Sequence, residues 1–283
     1  MTTTLRNLTL STLFTASAGF GAFAQDIPIT PEVTDSGKLT IASSLGYAPF
    51  EYVDEQGNPA GLDIELAQAV ASLLGAELQI ETVPFSNQIP GLAAGRFKVA
   101  WSSFSVTAER LVQVDFVTFM QAGTVVMTTP EQKGRFADRA ALCGVSIAVQ
   151  AGTAADFAAD KLSGECTASG ASAISKSIYP EQKDVIQAAL SGRVEAYLDD
   201  STSAGYYETT SDGKLVVSGT AFFPTPLGVA IPKGDTATAT MMKAALEKLM
   251  ADGSYTAVLE KYNMTTSALT EVEVYTNPSQ VAQ

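Results

Sequence analysis

Residues 63–83 read DIELAQAVASLLGAELQIETV, and this stretch contains the strongest fold signal in the chain. Apolar residues recur at spacings of three and four from Leu66 to Leu74, which is the period of a helix with one buried face, and Gly75 ends the pattern. The segment from Leu78 to Val83 then predicts a strand, and Lys38 to Ala42 predicts another strand before the helix. Alternation of strands and helices predicts a largely parallel sheet that is flanked by helices.

The alternation restarts further along the chain. The further strand predictions are Val99–Trp101, Val145–Val149, Glu195–Leu198 and Val229–Ile231, and the helix predictions are Ser86–Ala94, Ala154–Leu162, Asp184–Leu190, Thr238–Ala251 and a helix that opens at Gly253–Tyr255. Two stretches, 124–129 and 218–226, are candidates to connect the units. The sequence therefore predicts two α/β units, each with its own core.

The first 24 residues are typical of an export signal. Arg6 is their only charge, and a mostly apolar run from Leu8 to Phe23 ends in small residues, which predicts cleavage after Ala24. The run holds 16 residues, fewer than the roughly 20 that a membrane span needs. The signal offers no cysteine near Ala24 for a lipid. We expect an exported protein without a membrane anchor.

Composition excludes several classes of function. The formal charge of −13 argues against nucleic acid as a partner, because phosphate binding needs a basic surface. The chain has no histidine, which removes Ser-His-Asp and Cys-His catalysis. Its two cysteines, Cys143 and Cys166, make a structural zinc site implausible and predict a disulfide in an oxidising compartment. We expect neither a metal nor a cofactor.

The stretch Ser102-Ser103-Phe104-Ser105-Val106-Thr107-Ala108-Glu109-Arg110 places a guanidinium shortly after a cluster of hydroxyls. A guanidinium that is held in place binds a carboxylate through two parallel hydrogen bonds. The alternative is a surface pair of Arg110 with Glu109 or Asp115, and such pairs contribute about 0–1 kcal/mol.

Several short motifs together resemble one protein family. From Gly37 to about Asn263 the chain is similar to the periplasmic solute-binding proteins of polar amino-acid ABC transporters (family 3). Each motif is weak alone, whereas the ordered set behind an export signal is specific. The motifs are Tyr47-Ala48-Pro49-Phe50, Gly61-Leu62-Asp63-Ile64-Glu65-Leu66-Ala67, Ile89-Pro90-Gly91-Leu92, Thr107-Ala108-Glu109-Arg110, Val114-Asp115-Phe116, Val149-Gln150-Ala151-Gly152-Thr153, Gly192-Arg193-Val194-Glu195-Ala196 with Asp200, Leu227-Gly228-Val229-Ala230 and Asp252-Gly253-Ser254-Tyr255.

The resemblance implies the type II periplasmic-binding-protein fold, in which two α/β lobes are joined by two hinge strands and the ligand lies in the cleft between them. The implied division is a signal peptide (1–24), a flexible lead-in (25–36), the first part of lobe 1 (37–123), a hinge (124–129), lobe 2 (130–217), a second hinge (218–226), the rest of lobe 1 (227–264) and a loosely held C-terminal tail (265–283). A monomer suits a receptor that docks one lobe on each half of a membrane permease.

The resemblance also assigns roles to single residues. It implies that Arg110 binds the α-carboxylate of an amino acid through two hydrogen bonds, and that Ser105 and Thr153 donate to the same carboxylate from a backbone N–H or a hydroxyl. It also implies that Asp200 accepts from the α-ammonium with help from Ser103, and that Tyr47 and Phe85 pack on the ligand side chain. We prefer Asp200 over neighbouring Asp199 because Asp200 falls in the matching frame. The alternative for the two aromatic residues is an ordinary place in the core.

Two positions bear on the choice of ligand. Relatives that bind basic amino acids carry an acidic residue at the position of Ser44, so a neutral serine argues against a basic ligand. Gln150 lies where relatives contact the ligand side chain. We expect a neutral polar or small amino acid, because an acidic ligand needs a second cation, for which only Lys183 and Arg193 are candidates.

Two other functions are compatible with the same scaffold. Some relatives are periplasmic dehydratases of cyclohexadienyl acids, which need a general acid in the cleft, and Glu51, Glu208 and Asp199 are the candidate carboxylates. Another reading is a receptor that presents its ligand to a sensor protein. Turnover of a prephenate-type substrate separates the enzyme from the transport receptor.

Overall fold

The computed structural model describes residues 27–281, so the predicted signal peptide and its cleavage site lie outside the described residues. Its strands are β1 (Lys38–Ser43), β2 (Gly46–Tyr47), β3 (Glu51–Val53), β4 (Pro59–Ala60), β5 (Glu77–Thr82), β6 (Ala100–Ser105), β7 (Val114–Thr128), β8 (Ser146–Gln150), β9 (Ser175–Tyr179), β10 (Ala196–Asp200), β11 (Val216–Pro232) and β12 (Val274–Tyr275). Its α-helices are α1 (Pro31–Ser36), α2 (Leu62–Leu73), α3 (Phe85–Ala93), α4 (Ala108–Leu111), α5 (Ala154–Ala168), α6 (Gln182–Leu190), α7 (Ser201–Thr210), α8 (Thr236–Asp252) and α9 (Ser254–Lys261), and short 3₁₀ turns lie at Pro130–Gln132, Arg139–Leu142, Thr265–Ser267 and Pro278–Gln280.

The main sheet has the strand order β5-β1-β6-β11-β7-β10-β8-β9. At one end β1 runs parallel to β5 and β6, and at the other end β8 runs parallel to β9 and β10. Between these groups β7 and β11 pair antiparallel. The predicted α/β class is confirmed, and its parallel parts are separated by two long antiparallel strands.

Hydrophobic cores lie at both ends of the long strands. In the first core α2, α8 and α9 pack on the sheet around Trp101, and we call the elements around it the first lobe. In the second core α5 packs on β8 and β10 around Ile147 and Leu162, and we call this part the second lobe. Strand β7 contributes Phe119 to the first core and Val126 to the second, so it runs through both lobes.

Strand β11 crosses between the lobes beside β7. Its pairing with β7 shifts register between Ser218 and Phe222 and again between Phe222 and Thr225. Register shifts bend a strand locally, and these shifts fall within the predicted connection 218–226. That 124–129 and 218–226 act as hinges stays a prediction.

Both ends of the described chain are more ordered than the sequence analysis expects. Residues 31–36, expected to be a flexible lead-in, form α1, which ends at Gly37 in the left-handed conformation (φ 66°) and buries Val33. The expected loose tail also packs, because Val272 is 1% exposed and Val274 pairs with Val117 of β7. A few apolar residues in a polar segment are sufficient to order it.

The predicted disulfide is confirmed. Cys143 and Cys166 are bonded, with 5.5 Å between their Cα atoms and a separation of 23 positions in sequence. The bond joins the loop before β8 to α5. Because it persists when the protein unfolds, it restricts the conformations of the unfolded chain.

Replacing both cysteines by alanine is expected to lower the free energy of unfolding by on the order of 3 kcal/mol, because the unfolded chain is then free of this restriction. Urea unfolding of the variant and of the wild type measures the difference. Wild type treated with a reductant is the control and should resemble the variant. Equal midpoints for oxidised wild type and variant would contradict this account.

Candidate functional site

A narrow cleft lies between the lobes. The structure places all nine residues predicted for the site in its lining: Ser44, Tyr47, Phe85, Ser103, Ser105, Arg110, Gln150, Thr153 and Asp200. Six further lining residues have no predicted binding role: Ser102, Ala154, Ala155, Gln182, Leu198 and Asp199. The location follows from topology, because parallel strands end at a common edge of their sheet and Ser105, Gln150 and Asp200 each end such a strand.

Arg110 lies at the first-lobe wall of the cleft and is 3% exposed. It belongs to the one-turn helix α4, where the hydroxyl of Thr107 caps the start by accepting from the Arg110 N–H at 3.4 Å. Its Nη1 donates to the carbonyl of Ser105 at 2.7 Å, and its Nη2 donates across the cleft to the carbonyl of Gly152 at 2.7 Å. The alternative of a surface pair with Glu109 or Asp115 is therefore wrong.

Three aromatic rings surround this guanidinium. Its central carbon lies 5.4 Å, 5.3 Å and 5.8 Å from the ring centroids of Phe85, Phe104 and Phe157. Such contacts favour a cation, whereas burial lowers the pKa of Arg110 to about 10. Arg110 thus remains charged at neutral pH, and it is the cation in the lining of this cleft as the structure describes it.

The turn at Gly152 and Thr153 is braced from its own lobe. The Thr153 hydroxyl accepts from the N–H of Asp156 at 3.2 Å and donates to the carbonyl of Gln150 at 2.8 Å. The Asp156 carboxylate accepts from the N–H of Gly152 at 3.0 Å and pairs with Lys176 at 2.6 Å. The expected donor at Thr153 was its N–H or its hydroxyl. The hydroxyl is engaged within the turn, and the N–H makes a long contact of 3.4 Å with the carbonyl of Gln150.

Asp199 and Asp200 end β10 at the opposite wall. Oδ1 of Asp199 accepts from the Tyr47 hydroxyl at 2.7 Å and from the Asp200 N–H at 2.8 Å, while its Oδ2 accepts from Gln182 Nε2 at 2.8 Å. The Asp200 carboxylate has a single long contact, 3.4 Å from the Tyr47 hydroxyl. Asp199 is thus well satisfied, and Asp200 keeps spare acceptor capacity.

Burial changes the proton affinity of this pair. It raises the pKa of Asp199 to about 6, and burial together with the neighbouring charge of Asp199 raises the pKa of Asp200 to about 7. A carboxylate in such a place is stabilised by a nearby cation. The Asp200 end of the cleft is therefore suited to a positively charged group.

Behind the first-lobe wall lie two fully buried carboxyl groups, Glu51 and Asp63. Ser44 Oγ donates to Glu51 at 3.2 Å, and the N–H and hydroxyl of Ser103 donate to Asp63 at 2.7 Å and 3.0 Å. Ser103 was expected to assist Asp200 in binding the ligand ammonium, but its N–H and hydroxyl both donate to Asp63. Burial raises the pKa of Asp63 to about 7, and burial and the charge of Asp63 raise the pKa of Glu51 well above its ordinary range.

Other residues raised by the sequence analysis lie away from the cleft. Lys183 and Arg193, the candidate second cations, are exposed and do not line it. Glu208 accepts from the N–H of Val217 at 3.4 Å instead of facing the cleft. Within residues 27–281 no group of three or more acidic or cysteine side chains is arranged to hold a metal ion.

Residues 39–265 match the model of one protein family, described as Bacterial extracellular solute-binding proteins, family 3. The chain belongs to this family. Among family relatives, the arginine-binding protein ArgT of Corynebacterium glutamicum is 27% identical over 254 residues, which cover 88% of this chain and 82% of ArgT. The family resemblance predicted from the motifs is thus confirmed.

Two further relatives of this family 3 protein connect binding with catalysis. The crystal structure of the ancestral amino acid-binding protein AncCDT-1, a precursor of cyclohexadienyl dehydratase, has a TM-score of 0.74 and 29% identity, and the match covers 82% of this chain and 97% of that one. The cyclohexadienyl dehydratase of Pseudomonas aeruginosa is 33% identical over 105 residues, which cover 37% of this chain and 39% of the enzyme. The structural match confirms the two-lobed periplasmic-binding fold.

The described part of this family 3 protein also bears on membrane insertion. Over residues 27–281, every helix is too short or too polar to cross a bilayer.

Proposed function

We propose that this protein is an extracytoplasmic receptor that binds an amino acid by cleft closure and delivers it to the permease of an ABC transporter. One observation carries the proposal: the guanidinium of Arg110 and the carboxylate of Asp200 line the same cleft from different lobes. An α-amino acid bears one charge of each sign, and burying a charge is costly unless it meets a partner. The relatives that are named for amino-acid binding support the same function.

The two charges fit the two ends of a zwitterion. Arg110 has N–H donors beyond the two that reach Ser105 and Gly152, so it can also hold a carboxylate. Asp200 offers its spare acceptors to the ammonium group. Because only a closed cleft contacts both ends of the ligand, binding shifts the protein towards the closed arrangement through its differential affinity.

We propose a neutral polar or small amino acid as the ligand. Asp199 already accepts three hydrogen bonds. Glu51 is fully buried behind the wall, where burial and the charge of Asp63 raise its pKa well above the ordinary range and so disfavour its charged form. If Asp200 binds the α-ammonium, the described lining of the cleft offers no further free carboxylate to pair with a cationic ligand side chain. The name of ArgT points the other way, so arginine is the essential comparison in any ligand screen.

The amides near the cleft support a polar ligand. Gln150 Nε2 donates to the carbonyl of Pro180 at 3.3 Å, and Gln182 Nε2 donates to Asp199 at 2.8 Å. Each amide oxygen remains available to accept a hydrogen bond. A ligand side chain with N–H or O–H donors satisfies that requirement.

A thermal-shift screen of residues 25–283 against the twenty amino acids tests the proposed function. The protein is first unfolded and refolded to remove carried-over ligand. A ligand of the native state at a hundredfold excess over Kd stabilises it by about 2.7 kcal/mol, which shifts Tm by several degrees. A shift with neutral polar or small amino acids supports the proposal, and a shift with arginine alone overturns the proposed ligand class. No shift with any amino acid overturns the receptor function.

The dehydratase similarity defines a second assay on the same protein. Asp199 and Asp200 have raised pKa values in a cleft, which is a property of general acids as well as of cation-binding sites. Incubation with a prephenate-type cyclohexadienyl acid, followed by absorbance for the aromatic product, measures turnover. We expect none beyond the uncatalysed rate, and catalytic turnover would replace the receptor by an enzyme.

Amino-acid affinity is expected to fall as pH drops below 7. The pKa of Asp200 is about 7, and a bound ammonium favours the ionised form, so the pKa falls on binding and a proton is released below pH 7. Affinity is therefore highest above pH 7 and decreases by up to about tenfold per pH unit while one proton is released. Calorimetry across this range, in buffers of different ionisation enthalpy, measures both quantities. A flat profile would contradict the ammonium–Asp200 pairing.

A further inference from the structure

The Tyr47 side chain joins the two lobes. Its ring stacks on Phe50 in the first lobe, with 5.7 Å between centroids and 16° between ring planes, and Phe50 is fully buried. Its hydroxyl reaches the second lobe, where it lies 2.7 Å from Asp199 Oδ1 and 2.7 Å from Ser203 Oγ. One end of the side chain is therefore held by the first core and the other by polar groups across the cleft.

We propose that the Tyr47 hydroxyl is a latch that holds the lobes together and thereby sets how long a ligand stays bound. This inference rests on the proposed function and goes beyond the packing role that the family resemblance assigns to Tyr47. It names Asp199 as the acceptor of the Tyr47 proton and Ser203 as a hydroxyl that can donate to the Tyr47 oxygen. Asp200, in contrast, is left for the ligand.

The second-lobe partners of the Tyr47 hydroxyl are held in place by contacts within their own lobe. Asp199 is held by the N–H of Asp200 and by Gln182, both in the second lobe. The Ser203 Oγ also lies 3.0 Å from the carbonyl of Asp200, to which its proton can turn when Tyr47 is absent. When the cleft opens, these second-lobe bonds can persist, and the Tyr47 contacts are the ones that break.

The latch is also separate from the contact at the other end of the cleft. There the Nη2 of Arg110 donates to the carbonyl of Gly152, and the same guanidinium is proposed to bind the ligand. Ligand binding is therefore expected to change the hydrogen bonds that Arg110 makes across the cleft. The Tyr47 hydroxyl contacts two second-lobe groups, and neither contact involves a ligand atom. Its contribution can therefore be measured in ligand-free protein.

The test is Tyr47→Phe, which removes the hydroxyl and keeps the stacking ring. The matched control is Tyr262→Phe, because the Tyr262 hydroxyl donates to Glu65 at 2.6 Å within the first lobe. Small-angle X-ray scattering of stripped, ligand-free protein is expected to show a larger radius of gyration for Tyr47→Phe and wild-type dimensions for Tyr262→Phe. Dissociation of the amino acid that the screen identifies is expected to be about tenfold faster in Tyr47→Phe, as for one lost hydrogen bond to a charged group.

Equal radii of gyration and equal dissociation rates for the two variants would overturn the latch. A change in both variants would overturn it too, because Tyr262 does not cross the cleft. If wild type binds no amino acid, the receptor function fails while the ligand-free scattering still decides the latch. The two proposals therefore fail by different results.

Discussion

Arg110→Ala is expected to weaken binding of the amino acid by at least about 100-fold, because removing one partner of a buried, hydrogen-bonded charge pair costs about 3–5 kcal/mol and each 1.4 kcal/mol is a factor of ten. Two features of Arg110 place it at the upper end of such effects. It is 3% exposed, and the centroids of three aromatic rings lie within 5.8 Å of its guanidinium carbon. Alanine leaves the ligand carboxylate in the same buried site without its cationic partner. Isothermal titration calorimetry with the ligand from the screen gives the loss directly.

Arg110→Lys separates charge from geometry. Lysine keeps a positive charge and loses the planar fork that binds a carboxylate with two parallel hydrogen bonds. We expect its affinity to lie between those of wild type and Arg110→Ala. The matched control is Arg193→Ala, which removes an exposed arginine of the second lobe that does not line the cleft. Wild-type affinity in Arg110→Ala would remove Arg110 from the site, provided that circular dichroism shows a folded variant.

Sequence periodicity was sufficient for elements that bury one face. The helix predicted from Leu66, Val70 and Leu73 is α2, and the strand predicted at residues 78–83 is β5, displaced by one residue. Periodicity predicted no helix or strand over 201–210, which forms helix α7. That segment reads STSAGYYETT and has little apolar periodicity. Its helix depends on packing against β7 and β11, which the local sequence does not contain.

The sequence was sufficient to choose residues that share one cleft, and their binding roles stay predictions. Motif order identified Arg110 and Asp200, and topology brought both to one cleft. Their hydrogen-bond partners could not be predicted, because the partners come from segments that are distant in sequence and meet only in the folded protein. Asp63 takes both donors of Ser103, and Tyr47 lies 152 residues before the Asp199 that accepts from it. The sequence contains no local signal for either pairing.

Asp200→Asn is expected to reduce affinity by on the order of 100-fold or more, since the buried ammonium loses its counter-charge at a cost of about 3–5 kcal/mol. The same change is not expected to destabilise the ligand-free protein. Burial and the charge of Asp199 raise the pKa of Asp200 to about 7, so the ionised carboxylate is disfavoured there, and a neutral amide of the same shape removes that unfavourable charge. Binding and stability should therefore change in opposite directions. Calorimetric titration and urea unfolding of the ligand-free variant measure the two effects separately.

The matched control is Asp212→Asn in the same lobe. Asp212 is exposed and has a φ of 54°, a conformation that asparagine adopts as readily as aspartate, so this change removes one acidic charge without backbone strain. It is expected to leave affinity unchanged. Asp199→Asn distinguishes the neighbours, because Asp199 is engaged by Tyr47, Gln182 and the Asp200 N–H and should lose less affinity than Asp200→Asn. If Asp199→Asn instead abolished binding while Asp200→Asn retained it, the ammonium would belong to Asp199, and the extra acceptor capacity of Asp200 would have another purpose.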